Sequence, residues 1–317
     1  MTENGKTILI TGSSGYLGSC LIEVLTNLPW VKNIHGMDVA PPRNKHELFK
    51  FSQLDITHAE SVSDEMLKIK PDIAIHLAFI VNPIHDEKFM HRINVDGTRH
   101  FLDAAEKAVV PKIMVASSGT AYGAWPDNPV PLYESDPIRP HKDFAYARDK
   151  AEVESLCDIF CKKNPDVIFS VIRPTVVFGK NVDNYLSDLL LMPIVPKVLG
   201  ANPYIQLVHE EDVMGSIIRI LESDARGGFN IAPADAIKLN DIIKKTRSIK
   251  LAAPYFLARL AVKVAWNLRL KFQSYPPGFI DYMRFPWVLD NGRLTDELGY
   301  EFKFSTEETL SVLLQQK

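Results

Sequence analysis

Tyr146 and Lys150 have the side chains and the spacing needed to move a proton to or from an alcohol oxygen. On a helix, residues four apart lie on one face, so these two side chains are neighbours. A free tyrosine has a pKa of about 10, and a nearby ammonium group lowers that pKa toward a range in which the phenol is a useful general base. The segment Val115–Gly123 lies where a strand is predicted to end, and its hydroxyl groups could hold the substrate oxygen. Together these residues predict acid–base chemistry on an alcohol or a ketone.

Gly12, Gly15 and Gly18 follow the apolar run Thr7–Thr11 and precede a helical pattern. Glycines at such a turn let the backbone approach a pyrophosphate and let the helix pack closely on the strand. The phosphates then meet free N–H groups at the helix N-terminus. Asp38, 20 residues after Gly18, is placed to accept hydrogen bonds from the adenosine ribose and to repel a 2′-phosphate. We therefore expect NAD, rather than NADP, as the cofactor.

Short β-branched runs alternate with longer helical patterns in the first half of the chain, which is typical of a doubly wound parallel sheet. The predicted strands are Thr7–Thr11, Asn33–Met37, Phe49–Leu54, Asp72–Leu77, Lys112–Ser117 and Val167–Ile172. The predicted helices are Gly15–Thr26, Ala59–Lys68, Lys88–Lys107 and Phe144–Lys162. We expect an α/β fold: a Rossmann-type NAD-binding domain over 1–179, to which 205–235 return, and a smaller mixed α/β substrate-binding region over 180–204 and 236–317.

Composition narrows the class of protein. Hydrophobic residues make up 46% and charged residues 24% of the 317 residues, as in an ordinary globular enzyme, and the net charge of −3 gives no reason to expect a nucleic-acid partner. The sequence contains no run of 18 apolar residues, so we predict no transmembrane segment. Three cysteines cannot form a closed disulfide framework, which favours a cytoplasmic setting. Cys157 and Cys161, like His76 and His209, lack a second set of ligands in the sequence, so we expect no metal.

The stretch 254–272 is an apolar helical pattern in which Arg259, Lys263 and Asn267 recur every four residues. One interpretation is a helix of the substrate-binding region whose polar stripe faces water. The other is a surface that meets lipid or an apolar substrate. The sequence leaves both open.

With these motifs in order, the chain resembles the extended short-chain dehydrogenase/reductase family, and within it the NAD-dependent epimerase/dehydratase branch, UDP-glucose 4-epimerase-like. The resemblance covers the first ~230 residues well and the remainder loosely. It implies a catalytic set of Ser118, Tyr146 and Lys150, with Thr120 assisting on the substrate side. It also implies a homodimer built on the predicted helices Lys88–Lys107 and Phe144–Lys162.

The resemblance further implies which residues contact the cofactor. Asp55 and Ile56 match the adenine-contacting pair, and Asn94 in Asn94–Thr98 matches a structural asparagine on the cofactor side. The implied cofactor-binding set is Gly12, Gly15, Tyr16, Leu17, Gly18, Asp38, Asp55, Ile56, Leu77, Ala78, Phe79, Asn94, Ser117, Tyr146, Lys150 and Pro174.

The reaction that this resemblance implies is epimerisation of a nucleotide sugar, in which NAD takes a hydride and returns it while the tyrosine moves the proton. Two positions depart from that pattern: Val176 replaces a substrate-facing asparagine, and Ile205 replaces a phosphate-clamping arginine. Arg284 could retain a second phosphate contact.

The alternative is an NAD-dependent alcohol dehydrogenase or ketoreductase on a non-nucleotide, apolar small-molecule substrate, similar to 3β-hydroxysteroid dehydrogenases. Val176, Ile205 and the apolar helix around Trp266 fit such a substrate. A third interpretation, a catalytically silent dinucleotide sensor, is disfavoured because Ser118, Tyr146 and Lys150 are all present.

Overall fold

The β-branched runs form parallel strands in a computed structural model, which describes residues 5–180, 182, 194–246, 249–270 and 275–315. The strands are β1 (Lys6–Thr11), β2 (Val31–Asp38), β3 (Phe49–Gln53), β4 (Ile73–His76), β5 (Lys112–Ala116), β6 (Ile168–Pro174), β7 (Val176–Phe178), β8 (Ile194–Val198), β9 (Tyr204–Ile205), β10 (Leu207–His209), β11 (Gly227–Ile231), β12 (Ile237–Lys238) and β13 (Ile249–Ala253). Seven of these described strands form one parallel sheet in the order β11-β6-β5-β4-β1-β2-β3. The predicted doubly wound sheet is therefore confirmed.

Helices cover both faces of the sheet. Those described are α1 (Tyr16–Leu25), α2 (Ala59–Ile69), α3 (Glu87–His91), α4 (Gly97–Lys107), α5 (Ala145–Lys163), α6 (Glu210–Glu222), α7 (Leu239–Lys245), α8 (Tyr255–Asn267), α9 (Phe279–Tyr282) and α10 (Thr306–Gln315). Side chains alternate across a strand, so Ile8 and Ile10 of β1 pack with α1 and α6, whereas Leu9 packs with α2, α4 and α5. Burial on both faces explains why the strands read as continuous apolar runs.

The predicted helix Lys88–Lys107 is interrupted in the structure. A π-helical turn over Arg92–Asp96 separates α3 from α4. Within this turn the Asn94 side chain accepts a hydrogen bond from the Ile80 N–H at 2.8 Å, and its amide donates to the Ile80 carbonyl at 3.2 Å and to Asp149 on α5 at 3.1 Å. One asparagine thus holds the segment after β4 against α5.

A buried ion pair holds the end of β6 against α5. The Arg173 guanidinium donates two hydrogen bonds to Glu154, at 2.8 and 2.6 Å, and a third to the Tyr122 hydroxyl at 2.6 Å. Tyr122 in turn donates to Asn230 of β11 at 2.9 Å. The network joins three neighbouring elements at the carboxyl end of the sheet.

The later part of the chain forms small pairs of strands beside the sheet. β7 pairs with β10, β9 with β12, and β8 with β13. Helix α8 packs against β8, and its Arg259 forms ion pairs with Asp143 and Asp281. Part of the predicted polar stripe on 254–272 therefore faces the protein; residues 271 and 272 of that stretch lie outside the described residues. Among the helices that the structure describes, none is long and apolar enough to cross a membrane.

Candidate active site

The glycine turn after β1 leaves no room for side chains. Gly12 has φ +71°, and a Cβ there would lie 2.6 Å from the Leu77 carbonyl oxygen. A Cβ on Gly18 would lie 2.2 Å from the carbonyl oxygen of Gly12, so α1 and the turn touch through backbone atoms. The N-terminus of α1 begins directly after Gly15. A tight turn that leads directly into the N-terminus of a helix fits a pyrophosphate.

Asp38 lies at the end of β2, next to the glycine turn. Its carboxylate accepts hydrogen bonds from the N–H groups of Ser14 and Ala40, both at 3.0 Å. These contacts fix the carboxylate beside the turn, where it can accept further hydrogen bonds from ribose hydroxyls.

Ser118 and Thr120 present their hydroxyls at the carboxyl end of β5. Thr120 donates to the Ser118 Oγ from its N–H at 3.2 Å and from its hydroxyl at 3.0 Å. Because these two donors occupy the lone pairs of the Ser118 Oγ, the Ser118 hydroxyl donates its own proton to Tyr146.

Tyr146, near the start of α5, is buried. Burial raises the pKa of the Tyr146 phenol to about 12, although the hydrogen bond from Ser118 opposes that rise. The protein without ligand therefore holds this group as a neutral phenol, ready to donate a proton.

Lys150 lies one turn further along α5 and is also buried. Its ammonium donates to the Ala116 carbonyl at 2.7 Å and lies 2.9 Å from the centre of the Phe79 ring. Burial lowers the pKa of Lys150, because a charge in an apolar setting is costly. The amine is positioned by one carbonyl and one aromatic face, 5.7 Å from the Tyr146 ring centre.

These groups line one cavity of about 410 Å³. Fourteen of the residues predicted for the site lie in its wall: Gly12, Gly15, Tyr16, Leu17, Gly18, Leu77, Phe79, Ser117, Ser118, Thr120, Tyr146, Lys150, Pro174 and Val176. The glycine turn and the tyrosine–lysine pair, 128 residues apart in sequence, thus share one space.

Six predicted site residues do not line the cavity: Asp38, Asp55, Ile56, Ala78, Asn94 and Arg284. Asp55 accepts hydrogen bonds at 2.8 Å from the N–H and hydroxyl of Thr57, and although burial opposes them, these bonds lower the pKa of Asp55. Ile56 fits into the space beside Gly97, so it packs α4. Ala78 adjoins the Gly12 turn through its backbone.

Arg284, predicted to contact substrate phosphate, is engaged elsewhere. Its guanidinium lies over the rings of Tyr255 and Phe285, 4.2 and 4.7 Å from their centres. Ile205 is buried on β9. Among the described residues that line the cavity, Lys150 carries the sole formal charge.

Sequence reasoning missed eight lining residues, which are Ile80, Val81, Asn82, Ala116, Thr175, Val177, Phe279 and Trp287. Within the described part of the chain, the buried Trp287 Nε1 and Ser117 Oγ have no hydrogen-bond partner. A buried donor without a partner costs free energy, and a ligand that supplies an acceptor relieves that cost. Trp287 lies in the segment Tyr282–Asp290, and nothing in the sequence indicates that its indole lines the cavity.

A hydrogen bond joins the glycine turn to α6. The Tyr16 hydroxyl donates to Glu210, which also accepts from the Lys180 N–H at 3.2 Å. Burial and the Glu210 carboxylate raise the pKa of the Tyr16 phenol. This contact had no counterpart in the sequence prediction.

His76 at the end of β4 is structural. Its ring nitrogens bond the hydroxyls of Thr11 at 2.7 Å and Thr98 at 2.9 Å, and complete burial lowers the pKa of the imidazole to about 3. No cluster of three metal-binding side chains occurs in the described ranges.

Comparison with known proteins shows the family to which this chain belongs. A sequence model of the NAD dependent epimerase/dehydratase family matches residues 8–232, and the chain belongs to that family. The chain is 27% identical to a UDP-glucose 4-epimerase of Mycolicibacterium smegmatis, covering 96% of each protein. It is 26% identical to a sterol-4-alpha-carboxylate 3-dehydrogenase, decarboxylating, of Candida albicans, covering 98% of this chain and 85% of that protein.

A solved structure of a UDP-glucose 4-epimerase has the same fold. The crystal structure of the UDP-glucose 4-epimerase of Thermus thermophilus in complex with NAD superposes with a TM-score of 0.77 at 18% identity, covering 98% of both chains. The predicted α/β Rossmann-type fold, the family and the NAD-dependent enzyme class are confirmed.

Proposed function

We propose that the protein is an NAD-dependent alcohol dehydrogenase or ketoreductase that acts on an apolar secondary alcohol or its ketone. The lining of the cavity carries this proposal. Besides Lys150, the described lining residues bear no formal charge, and Ile80, Val176 and Phe279 are apolar. A nucleotide sugar brings two phosphates, which require charge-assisted donors to leave water. The similarity to a sterol dehydrogenase supports an apolar substrate.

The site has two parts, one that would bind the cofactor and one that would bind the substrate. The backbone of Gly12, Gly15 and Gly18 would hold the cofactor pyrophosphate, and Asp38 the adenosine ribose. Bound NAD would supply the hydride acceptor and a positive charge near the phenol. The other predicted cofactor-binding residues of the cavity wall would surround the nicotinamide half.

Tyr146 would take the hydroxyl proton in oxidation and return it in reduction. The Ser118 hydroxyl, whose lone pairs already accept from Thr120, would donate to the substrate oxygen and orient it. The Lys150 ammonium would favour the phenolate form of Tyr146 through its charge. Proton transfer would thus use groups that the fold already places together.

Trp287 would fix the far end of the substrate. Its buried Nε1 has no hydrogen-bond partner among the described residues, so we propose a substrate with one hydrogen-bond acceptor away from the reacting hydroxyl. Trp287→Phe should raise KM by roughly two- to tenfold, the value of one hydrogen bond, with kcat little changed. Trp125→Phe is the matched control, because that indole donates to the Arg139 carbonyl, outside the cavity.

A second candidate is epimerisation of a nucleotide sugar, which the similarity to the M. smegmatis UDP-glucose 4-epimerase favours. An epimerase returns the hydride to the same substrate, so it accumulates no NADH. The two candidates therefore differ in a single optical measurement.

The experiment is to incubate the purified protein with NAD and a panel of hydroxysteroids, and separately with UDP-galactose. NADH absorbance is followed, and sugar products are resolved by NMR. NADH formed with an apolar alcohol, and abolished in Tyr146→Phe, supports the proposal. Interconversion of UDP-galactose and UDP-glucose without NADH overturns it in favour of the epimerase.

Three organisational proposals accompany this function. Residues 1–179 with 205–235 would form the cofactor-binding domain, and 180–204 with 236–317 the substrate-binding region. Helices α4 and α5 would form a homodimer interface, testable by sedimentation velocity. The free cysteines among the described residues are consistent with a cytoplasmic setting.

A further inference from the structure

Helix α8 presents apolar side chains to solvent. Phe256, Leu257, Leu260, Val264 and Leu268 are between 47% and 68% exposed. At 3.6 residues per turn they lie on one side of the helix, while Val262, Ala265 and Trp266 on the other side are buried. Scattered exposed apolar residues are ordinary, but a continuous stripe over three helical turns is a mark of an interaction surface.

The exposed surface continues onto the adjacent strand pair. Ile249 and Leu251 of β13 are 68% and 62% exposed. Leu199, which follows β8, is 63% exposed and donates its N–H to the Ala253 carbonyl at 2.8 Å. Since α8 packs against β8, these side chains lie on elements adjacent to α8, and we call them and the stripe on α8 together the α8 face.

The charged residues carried by β13, α8 and the segment between them have one sign. Residues 249–270 contain four basic residues and no acidic one. Arg259 turns inward to Asp143 and Asp281. Lys250, Lys263 and Arg269 are exposed, and no described acidic side chain forms an ion pair with them. The apolar stripe is therefore flanked by cations that are free to meet an anionic partner.

We propose that the α8 face docks on the surface of a lipid bilayer that contains anionic headgroups. Apolar side chains of an interfacial helix enter the acyl boundary while lysines and arginines contact the headgroups. A second copy of this chain fits less well, because a two-fold contact would bring Lys263 and Arg269 near their own equivalents. Helix α8 has 13 residues, which suits lying on a membrane rather than crossing it.

The α8 face is connected to the cavity through the buried side of the helix. Trp266 lies against His85, with 4.0 Å between the ring centres and 37° between the ring planes. His85 follows the segment whose Ile80 and Val81 line the cavity. Arg259 also bonds Asp281 on α9, the helix that supplies Phe279 to the cavity wall. Docking would thus place lipid against the elements that enclose the site. The docking itself goes beyond the proposed function and does not depend on it.

The test is co-sedimentation of the full chain with vesicles of phosphatidylcholine, with and without phosphatidylserine, and with no substrate present. We expect binding to the anionic vesicles that weakens as salt is added. Leu260→Ser with Val264→Ser should lower the partition coefficient by roughly 100-fold, since each leucine- or valine-sized side chain contributes about a factor of ten when buried. Lys263→Gln with Arg269→Gln should lower it roughly 25-fold, about fivefold per charge, on anionic vesicles alone.

Val109→Ser is the matched control, because Val109 is 83% exposed but lies between α4 and β5, away from the α8 face. Loss of binding in that variant equal to the loss in the α8 variants would overturn the proposal, as would failure of the wild type to bind anionic vesicles. Sedimentation velocity supplies a second criterion. If Leu260→Ser with Val264→Ser converts a dimer to a monomer, the face is covered by a second copy and the bilayer is not its partner. Vesicle binding is measured without turnover, so failure of the proposed function leaves this test intact.

Discussion

Tyr146→Phe is the substitution that tests the proton-transfer assignment most directly. It removes one oxygen atom and leaves the ring, so the packing of the start of α5 should persist. Lys150 keeps its hydrogen bond to the Ala116 carbonyl, and the glycine turn is untouched. We therefore expect cofactor affinity to be unchanged and the rate of alcohol oxidation to fall by roughly 10²- to 10⁴-fold, the usual contribution of a positioned general base.

The pH dependence supplies the second half of this prediction. With its pKa raised to about 12, Tyr146 in the protein without ligand is ionised in about one molecule in 10⁵ at pH 7. Oxidation requires the phenolate, so wild-type kcat/KM for the alcohol should rise about tenfold per pH unit at every pH below the pKa of Tyr146 in the complex of enzyme and NAD that meets the alcohol. A lower pKa in that complex moves the plateau and leaves the slope below it unchanged. Ketone reduction requires the phenol and should show no such rise.

The assay is NADH absorbance from neutral to alkaline pH, with Tyr133→Phe as the control because that tyrosine is half exposed and outside the cavity. Tyr146→Phe should lose both the rate and the slope, while the control keeps both. If Tyr146→Phe retains a tenth of the wild-type rate, or the same rise with pH, the proton is carried by another group and the assignment is wrong.

Three further predictions concern binding and stability. Gly18→Ala should abolish NAD binding measured by calorimetry, because the new Cβ would lie 2.2 Å from the Gly12 carbonyl oxygen and would push α1 off the turn; unchanged affinity would contradict the role given to the turn. Glu154→Ala should lower the free energy of unfolding by about 3–5 kcal/mol in urea titrations, because it leaves the Arg173 guanidinium buried without its carboxylate; a loss below about 1 kcal/mol would show that Tyr122 and water suffice. The pKa of His76 falls from its usual value to about 3 on folding, so its contribution to stability is present above pH 6.5 and is lost as the pH falls toward 3, by up to about 1.4 kcal/mol per pH unit. His76→Gln should flatten this part of the curve of unfolding free energy against pH. An unaltered curve would refute the assignment to His76.

The parts of the site that sequence predicts are those held by local spacing. The glycine turn, Asp38 at the end of β2, and the Tyr146–Lys150 pair each depend on residues within one turn or one strand, so their geometry follows from the element that carries them. The parallel sheet follows from the same alternation of runs, which is why its strand ends differ little from expectation.

Other features depend on contacts between distant segments, for which the sequence has no periodic signal. The Phe79 ring beneath Lys150 was expected to line the cofactor, but its contact with the ammonium was not. In the π-helical turn at Arg92–Asp96, Asn94 bonds the backbone of Ile80, 14 residues earlier. Arg284 was expected from the family resemblance to contact a substrate phosphate. Its guanidinium lies instead over the ring of Tyr255, a contact that the sequence gave no reason to expect.

The outermost strand of the sheet has a consequence for synthesis of the protein on the ribosome. Strand β11 begins at Gly227 and covers the edge of β6, which ends at Pro174. Between these two residues the ribosome adds 53 residues, a delay of roughly 3–10 s at ordinary elongation rates. During that interval the N–H and C=O groups along one side of β6 are unpaired, which makes the nascent chain a template for strand addition. A chaperone that holds extended chains would be needed most in this window, and slowing translation after Pro174 should increase aggregation of the newly made protein.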